Sequence, residues 1–368
     1  MSGKANSAIT ATVNFILPLV LIIEYISAVY LASGFWLNIC AVLLIMVVYL
    51  QLLSKRGVQK ADIFFVLFAL FLIVASADVT KISILCVYVL FSAREYYNKR
   101  TLKYCLTVTA LSLSVIVLCY LLFGFNKQND TTIYRPISGT TVSRMCFGFN
   151  HPNQFTIYLL ALTVLVYMST NKFLVHTFIT VLDIFFFNLT QSRTVLFVVL
   201  FIYIAMLLIK FFKLRNVHNR TIMPMVYIFF IAISLVLSLY FADTKLDMLL
   251  SGRLALNKKY LNSGFSLLGT DAFDNTYFDN SYVQMIVSKG LIYSVAYGVL
   301  ILSVLYKSRL SYADTVIIIA ILMEAFMEVI FLKYAFMIII PLICKNRINH
   351  KYDTQKSSLL LVRSSSKI

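Results

Sequence analysis

What most constrains this chain is a succession of long apolar runs with little between them. They lie at about 11–33, 35–53, 62–77, 80–93, 103–125, 154–170, 173–189, 194–214, 222–241, 284–306, 312–328 and 329–345. About 20 apolar residues in a helix span the hydrocarbon core of a bilayer. Within lipid every backbone polar group must find a partner inside the protein, which leaves helices and closed barrels. Unbroken apolar runs suit helices. The expected fold is therefore all-α: a polytopic integral membrane protein with 11–12 transmembrane helices. Residues 312–345 fit one long tilted helix or two short ones, and this sets the uncertainty in the count. The first run reads as a retained span, because a strongly basic start is lacking and the apolar stretch is too long for a signal peptide. Composition agrees, at 61% hydrophobic and 13% charged residues. A soluble domain has about half and about a quarter. No room remains for a sizeable soluble domain. Residues 1–345 form a single helical membrane domain, and 346–368 a basic, solvated cytoplasmic tail.

The net charge is +17, from 32 Lys and Arg against 15 Asp and Glu. In a soluble chain that excess suggests nucleic acid. Here the cations flank apolar runs, where they act as topology signals, so no nucleic-acid partner is expected. If the N-terminus is inside and the runs alternate, inside segments hold roughly twice as many Lys and Arg as outside segments. That bias puts both termini in the cytoplasm and the two longest internal loops, about 126–153 and 242–283, on the outer face. Most outer cations lie in those two loops, where topology does not require them. The six cysteines, at 40, 86, 105, 119, 146 and 344, have no metal-ligand spacing. Neither a disulfide framework nor a structural metal is expected.

Chemistry-bearing residues concentrate in the outer segments. The first loop contains Tyr134-Arg135-Pro136, then Ser143-Arg144, then Gly148-Phe149-Asn150-His151-Pro152-Asn153-Gln154-Phe155. Arginine presents a fixed fork of donors that matches phosphate oxygens. Histidine exchanges a proton near neutral pH. Pro152 fixes the start of the next helix, with Asn153 or Gln154 as a cap. Thr190-Gln191-Ser192-Arg193-Thr194 is an abrupt polar break between two runs. Arg193 there is either a snorkelling anchor or a functional cation. The second loop begins with Ser251-Gly252-Arg253 and ends with Tyr277, Asp279, Asn280, Ser281 and Tyr282. Tyr, Asn and Asp are typical sugar-contacting groups. Asp271 and Asp274 make only a weak metal pattern.

Glu24, Asp183, Lys289, Glu324 and Glu328 fall within apolar runs. Glu324 and Glu328 share a helix face. The expected role of these acids is to neutralise cations such as Lys289 and Lys333. His176 and Asp183 also share a face and suggest a proton relay. No Walker A, GxGxxG, HExxH or GxSxG motif is present, which argues against ATP-driven transport, nucleotide cofactors and zinc hydrolysis.

The order of these pieces resembles the Wzy-type polysaccharide polymerases, relatives of the O-antigen ligases. The matching residues are Arg144, the 148–155 cluster, Ser192-Arg193-Thr194, Ser251-Gly252-Arg253, and Asp279-Asn280-Ser281-Tyr282 followed by Gly290-Leu291-Ile292. Arg253 and Gly264 also echo an arginine–glycine spacing of such outer loops; Arg135 and Arg144 lack it. The resemblance implies a cofactor-independent and metal-independent glycosyltransferase of the bacterial cytoplasmic membrane. It joins undecaprenyl-pyrophosphate-linked repeat units of a capsule, exopolysaccharide or O-antigen on the outer face. It also implies a flippase and a chain-length regulator as partners. Arg135, Arg144, Arg193 and Arg253 then hold the pyrophosphate, with Arg253 also catalytic. His151 is the expected base for the acceptor hydroxyl. Asn150, Asn153, Tyr277, Asp279, Asn280 and Tyr282 line the sugar groove. The alternatives are a ligase moving glycan to another acceptor, and a non-enzymatic lipid-linked oligosaccharide flippase or other transporter.

Overall fold

The computed structural model describes residues 2–30, 34–135, 139–214, 221–270, 278–308 and 310–345. The basic tail therefore lies outside the described residues. The helices are α1 (Ser2–Val29), α2 (Gly34–Arg56), α3 (Lys60–Ser76), α4 (Ser83–Ser92), α5 (Lys99–Phe123), α6 (Pro152–Ser169), α7 (Phe173–Thr190) and α8 (Arg193–Phe211). They continue with α9 (Ile222–Tyr240), α10 (Lys245–Leu249), α11 (Arg253–Asn262), α12 (Ser281–Gln284), α13 (Leu291–Lys307), α14 (Tyr312–Met327) and α15 (Tyr334–Lys345). Residues 312–345 thus form two short helices, separated by an irregular segment at 328–333.

The all-α expectation needs one amendment. An antiparallel hairpin, β1 (Thr131–Arg135) and β2 (Thr140–Arg144), occupies the first long loop, with Thr131 opposite Arg144. Thr, Ile, Tyr and Val suit a pleated surface, and the loop is polar enough to leave a helical pattern absent.

Among the described residues, six helices are long and apolar enough to cross a membrane: 7–29, 36–56, 99–123, 173–190, 193–211 and 222–240. They mark a membrane-embedded protein. Large apolar side chains such as Leu111, Leu122, Phe178, Phe185, Phe197 and Phe229 stand exposed on them. In water such a surface would be an aggregation liability; in lipid it is solvated. The short α4 and α15 behave oppositely. Nearly every residue from Ile84 to Phe91 and from Tyr334 to Cys344 is buried. These two helices sit in the protein interior, shielded by the longer ones.

Contacts sort the connections into two ends. One end joins the last turn of α1, residues 78–81, the first loop, the 190–192 break, the second loop and 328–333. The other joins Tyr97, Lys99, Met168 and Lys345 around a small cavity, with Lys55 over the Tyr96 ring and Lys210 over the Phe173 ring. Asp62 also lies there, held by Arg56 and by the Tyr88 hydroxyl. Thus α1–α9 and α13–α15 run alternately from one end to the other.

Candidate functional site

The first loop is built downward from its hairpin by side-chain amides. Asn126 donates to the carbonyls of Val29 and Gly148, Asn129 to Phe149, and Asn150 to Ala28 at 2.7 Å. Asp130 accepts from the Tyr120 hydroxyl and the Cys146 backbone. Gly148 has φ +85°, and a methyl group there would meet Ile116 Cγ2 at 2.9 Å. The chain is thereby turned tightly back onto α5 before α6 begins.

His151, rather than Asn153 or Gln154, caps α6. Its backbone is extended and its Nδ1 accepts the Asn153 N–H at 3.2 Å, while Pro152 occupies the first helical position. Burial, then the nearby Arg144 and Arg253 guanidiniums, push the His151 pKa down to about 4. The imidazole is therefore neutral near pH 7. With Nδ1 accepting, its proton resides on Nε2, which is a donor. A general base needs a free lone pair at that nitrogen, so this geometry suits His151 to hydrogen-bond donation.

Asn153 reaches in two directions. Its Oδ1 accepts from Arg144 Nη2 at 2.5 Å, and its Nδ2 donates to Glu328 Oε1 at 2.7 Å. Arg144 Nε also donates to the Thr190 carbonyl at 2.8 Å, which ties the hairpin to the polar break. The second loop arrives at the same carboxylate. Arg253 Nη2 donates to Glu328 Oε1 at 2.8 Å, and Nη1 donates to the Met327 carbonyl. Arg253 Nε lies 3.7 Å from Asp279 Oδ2. The result is a continuous chain Arg144–Asn153–Glu328–Arg253, beside Asp279 and His151. Burial raises the Asp279 carboxyl above its ordinary range, against the pull of Arg253 and Arg144.

Local chemistry holds each part in place. Asp247 accepts the N–H groups of Leu254 and Ala255, capping α11 so that Arg253 sits in its first turn. Gly252, at φ +79°, permits the preceding bend. Asn280 is fully buried; it caps α12 through the N–H groups of Tyr282 and Val283 and touches Ser234. Ser281 Oγ donates to the Glu328 carbonyl and accepts the Ile330 N–H, fixing the backbone on both sides of the hub. Further along the second loop, residues 266–270 hydrogen-bond to 288–292. Gly269 and Gly290 meet there so closely that a methyl group on either would strike the other strand's backbone.

The remaining expected site residues fall as follows. Arg193 opens α8 and makes no hydrogen bond or ion pair with the described residues; its neighbours Thr190 and Ser192 are held by Arg144 and Thr156. Arg135 ends β1. Tyr277, Asp271 and Asp274 lie outside the described residues. Tyr282 is 3% exposed, donates to the Leu322 carbonyl and packs edge-on to Phe331. Its ring belongs to the interior and offers no face to a sugar. Asn150, Asn153 and Asn280 likewise spend their amides on protein contacts.

Glu328 is the residue that sequence reasoning placed only among neutralising acids. Its one signal was its place on a shared face with Glu324, and that cannot reveal which loops converge on it. Glu324 is fully buried, and neither carboxylate oxygen finds a hydrogen-bond partner among the described residues. Lys289 precedes α13 and is not part of it: it ends a π-turn and pairs with Asp78 at 3.1 Å, with the buried Lys81 alongside. Lys333 lies over the Tyr158 ring, within electrostatic reach of Glu24 and Glu328. His176 and Asp183 do not form a relay. His176 stacks on Tyr167 and bonds the Thr170 carbonyl, whereas Asp183 accepts from Thr163. The site offers converging arginines, a neutral imidazole donor and adjacent carboxylates, a combination suited to gripping and stabilising an anion. The chain matches no family model, no curated protein and no solved structure.

Proposed function

We propose that the protein is a metal-independent polysaccharide polymerase of a bacterial cytoplasmic membrane. It transfers a growing glycan from undecaprenyl pyrophosphate to a hydroxyl of another lipid-linked repeat unit on the outer face. One observation carries this reading: arginines from the two long loops converge, through Asn153, on Glu328. In the reaction, charge develops on a departing pyrophosphate. Arg144 and Arg253, with Arg193 beside them, supply fixed positive charge where it develops, and His151 Nε2–H adds a donor. Lipid-facing apolar side chains around the bundle suit a polyprenyl tail.

The topology follows from the same reading. Twelve alternating passes place the arginine site outside and both termini in the cytoplasm. Supporting it, the segments that cation bias assigns to one face are those that touch at one end of the bundle. The protein's substrates would be delivered by a flippase and its product length set by a regulator.

The direct test is the purified protein in proteoliposomes with undecaprenyl-pyrophosphate-linked repeat units from its host. A ladder of polymer is expected, surviving EDTA, and lost in Arg253→Ala. Single repeats alone, with a correctly folded protein, would sink the polymerase reading. Activity lost in EDTA and restored by Mg²⁺ would move the chemistry to a metal. Labelling from outside should reach Thr244→Cys and not Lys99→Cys in a cysteine-free background; the reverse would invert the topology.

A further inference from the structure

We propose that Glu328 is an internal competitor of the substrate: its carboxylate rests where a pyrophosphate oxygen binds, and substrate displaces it. This rests on the reading of the arginine cluster as an anion site.

The geometry around Oε1 carries the argument. One oxygen receives Arg253 Nη2 at 2.8 Å and Asn153 Nδ2 at 2.7 Å, from two loops distant in sequence. Asn153 is in turn oriented by Arg144 at 2.5 Å. Convergent guanidinium and amide donors around one oxygen form a pattern that serves carboxylate and phosphate alike. Guanidiniums brought into a buried place need anions beside them: in the unliganded protein Glu328 pairs directly with Arg253, while Asp279 lies within electrostatic reach of both Arg253 and Arg144.

The surroundings favour exchange by side-chain movement alone. The Glu328 backbone is held on both sides, with its N–H on the Glu324 carbonyl and its own carbonyl taken by Ser281 Oγ at 2.7 Å. The side chain can turn while α14 and α15 stay fixed. A cation waits for it: Lys333 lies within electrostatic reach of both Glu328 and Glu24. On the other side of Arg253, Asp279 stays at 3.7 Å from Nε and is 30% exposed, so this edge is open to an arriving anion. When pyrophosphate enters, Arg253 and Asn153 exchange one oxygen partner for another. The released carboxylate then turns toward Lys333. An empty site is thereby kept neutral and assembled without being filled.

The test measures binding by the full-length protein in lipid nanodiscs, independently of polymer synthesis. The probes are inorganic pyrophosphate and a polyprenyl pyrophosphate. Removing a competitor raises the apparent affinity by the fraction of time it blocked the site. Glu328→Gln should therefore bind at least one probe about tenfold more tightly than wild type. Tightening with both probes would assign recognition to the pyrophosphate itself; tightening with the polyprenyl form alone would require the lipid-borne source. Equal or weaker binding of both probes would overturn the proposal and leave Glu328 a structural counter-ion. Because Glu328→Gln removes a buried charge, its purification is done in pyrophosphate. The shorter Glu328→Asp, which keeps the charge but withdraws it from Arg253, gives a second reading and should also tighten binding. If Glu328→Gln cannot be purified and Glu328→Asp binds no more tightly, the proposal fails. Wild-type protein that binds neither probe would instead remove the anion-site reading beneath it.

Discussion

The two long loops reach one carboxylate by different physical means. The first is folded chiefly by hydrogen bonds: a hairpin, asparagine amides on backbone carbonyls, Asp130 and Arg144 on backbone groups, and an amide, Asn153, as its contact with Glu328. The second is held by charge and close backbone contact: Arg253 on Glu328 and the Gly269–Gly290 meeting point. A neutral hydrogen bond contributes about 1 kcal/mol net, whereas breaking a buried ion pair costs about 3–5 kcal/mol because one charge is left alone. The first loop should therefore tolerate piecemeal damage, and the second should fail sharply.

The largest expected effect is Arg253→Ala. It leaves Glu328 buried without its guanidinium and should destabilise the protein by about 3–5 kcal/mol. Thermal unfolding in detergent measures it. A loss no greater than that of Asn153→Ala would erase the contrast between the loops. Next comes a pair of glycines. Gly290→Ala sets a methyl group against the Gly269 backbone, which cannot yield easily. Gly148→Ala meets the Ile116 branch methyl at 2.9 Å and the Ile116 carbonyl at 3.3 Å, a milder approach than the backbone contacts at Gly290. Limited proteolysis should show the second loop cut faster in Gly290→Ala than the first loop is in Gly148→Ala.

A smaller effect sharpens the shared role of Glu328. Asn153→Ala removes two hydrogen bonds and should cost about 1–3 kcal/mol. In a double-mutant cycle with Arg253→Lys, the two changes should couple by about 0.5–3 kcal/mol, because both act on one oxygen. Strict additivity would mean that the loops are independent. The smallest effect concerns His151. Its pKa is lowered from 6.5 to about 4, so the unfolded chain takes up the proton first as pH falls. Its contribution to stability is complete above pH 6.5 and is lost as pH drops towards 4. His151→Asn should flatten the acid limb of melting temperature against pH within that window; an unchanged limb would assign the acid loss to other groups.

Much of this protein was legible in its sequence. Each apolar run contains a helix, because lipid permits little else than an apolar helix, though the starts of α1, α13 and α15 differ from the run starts by five to nine residues. The polar residues that interrupt those runs marked the arginine segments correctly as neighbours, since cation bias assigned them to one face. Other features were not legible. The hairpin's alternation was too short to stand out in a polar loop. His151 as a cap depends on its backbone angles, and Tyr282 was read as exposed because an aromatic beside Asp and Asn looks the same in sequence either way.

The sequence by itself determined a helical membrane protein with cationic connections, since hydropathy and charge are properties of residues and act locally. Tertiary structure alone decided that Asn153 and Arg253, far apart in the chain, share Glu328 Oε1. It also decided that Lys289 answers Asp78 while Lys333 lies near Glu24 and Glu328. Charge pairing in a low-dielectric interior depends on distances of a few ångströms, and those are set by how helices and loops meet. A one-dimensional pattern of charges carries no such distances.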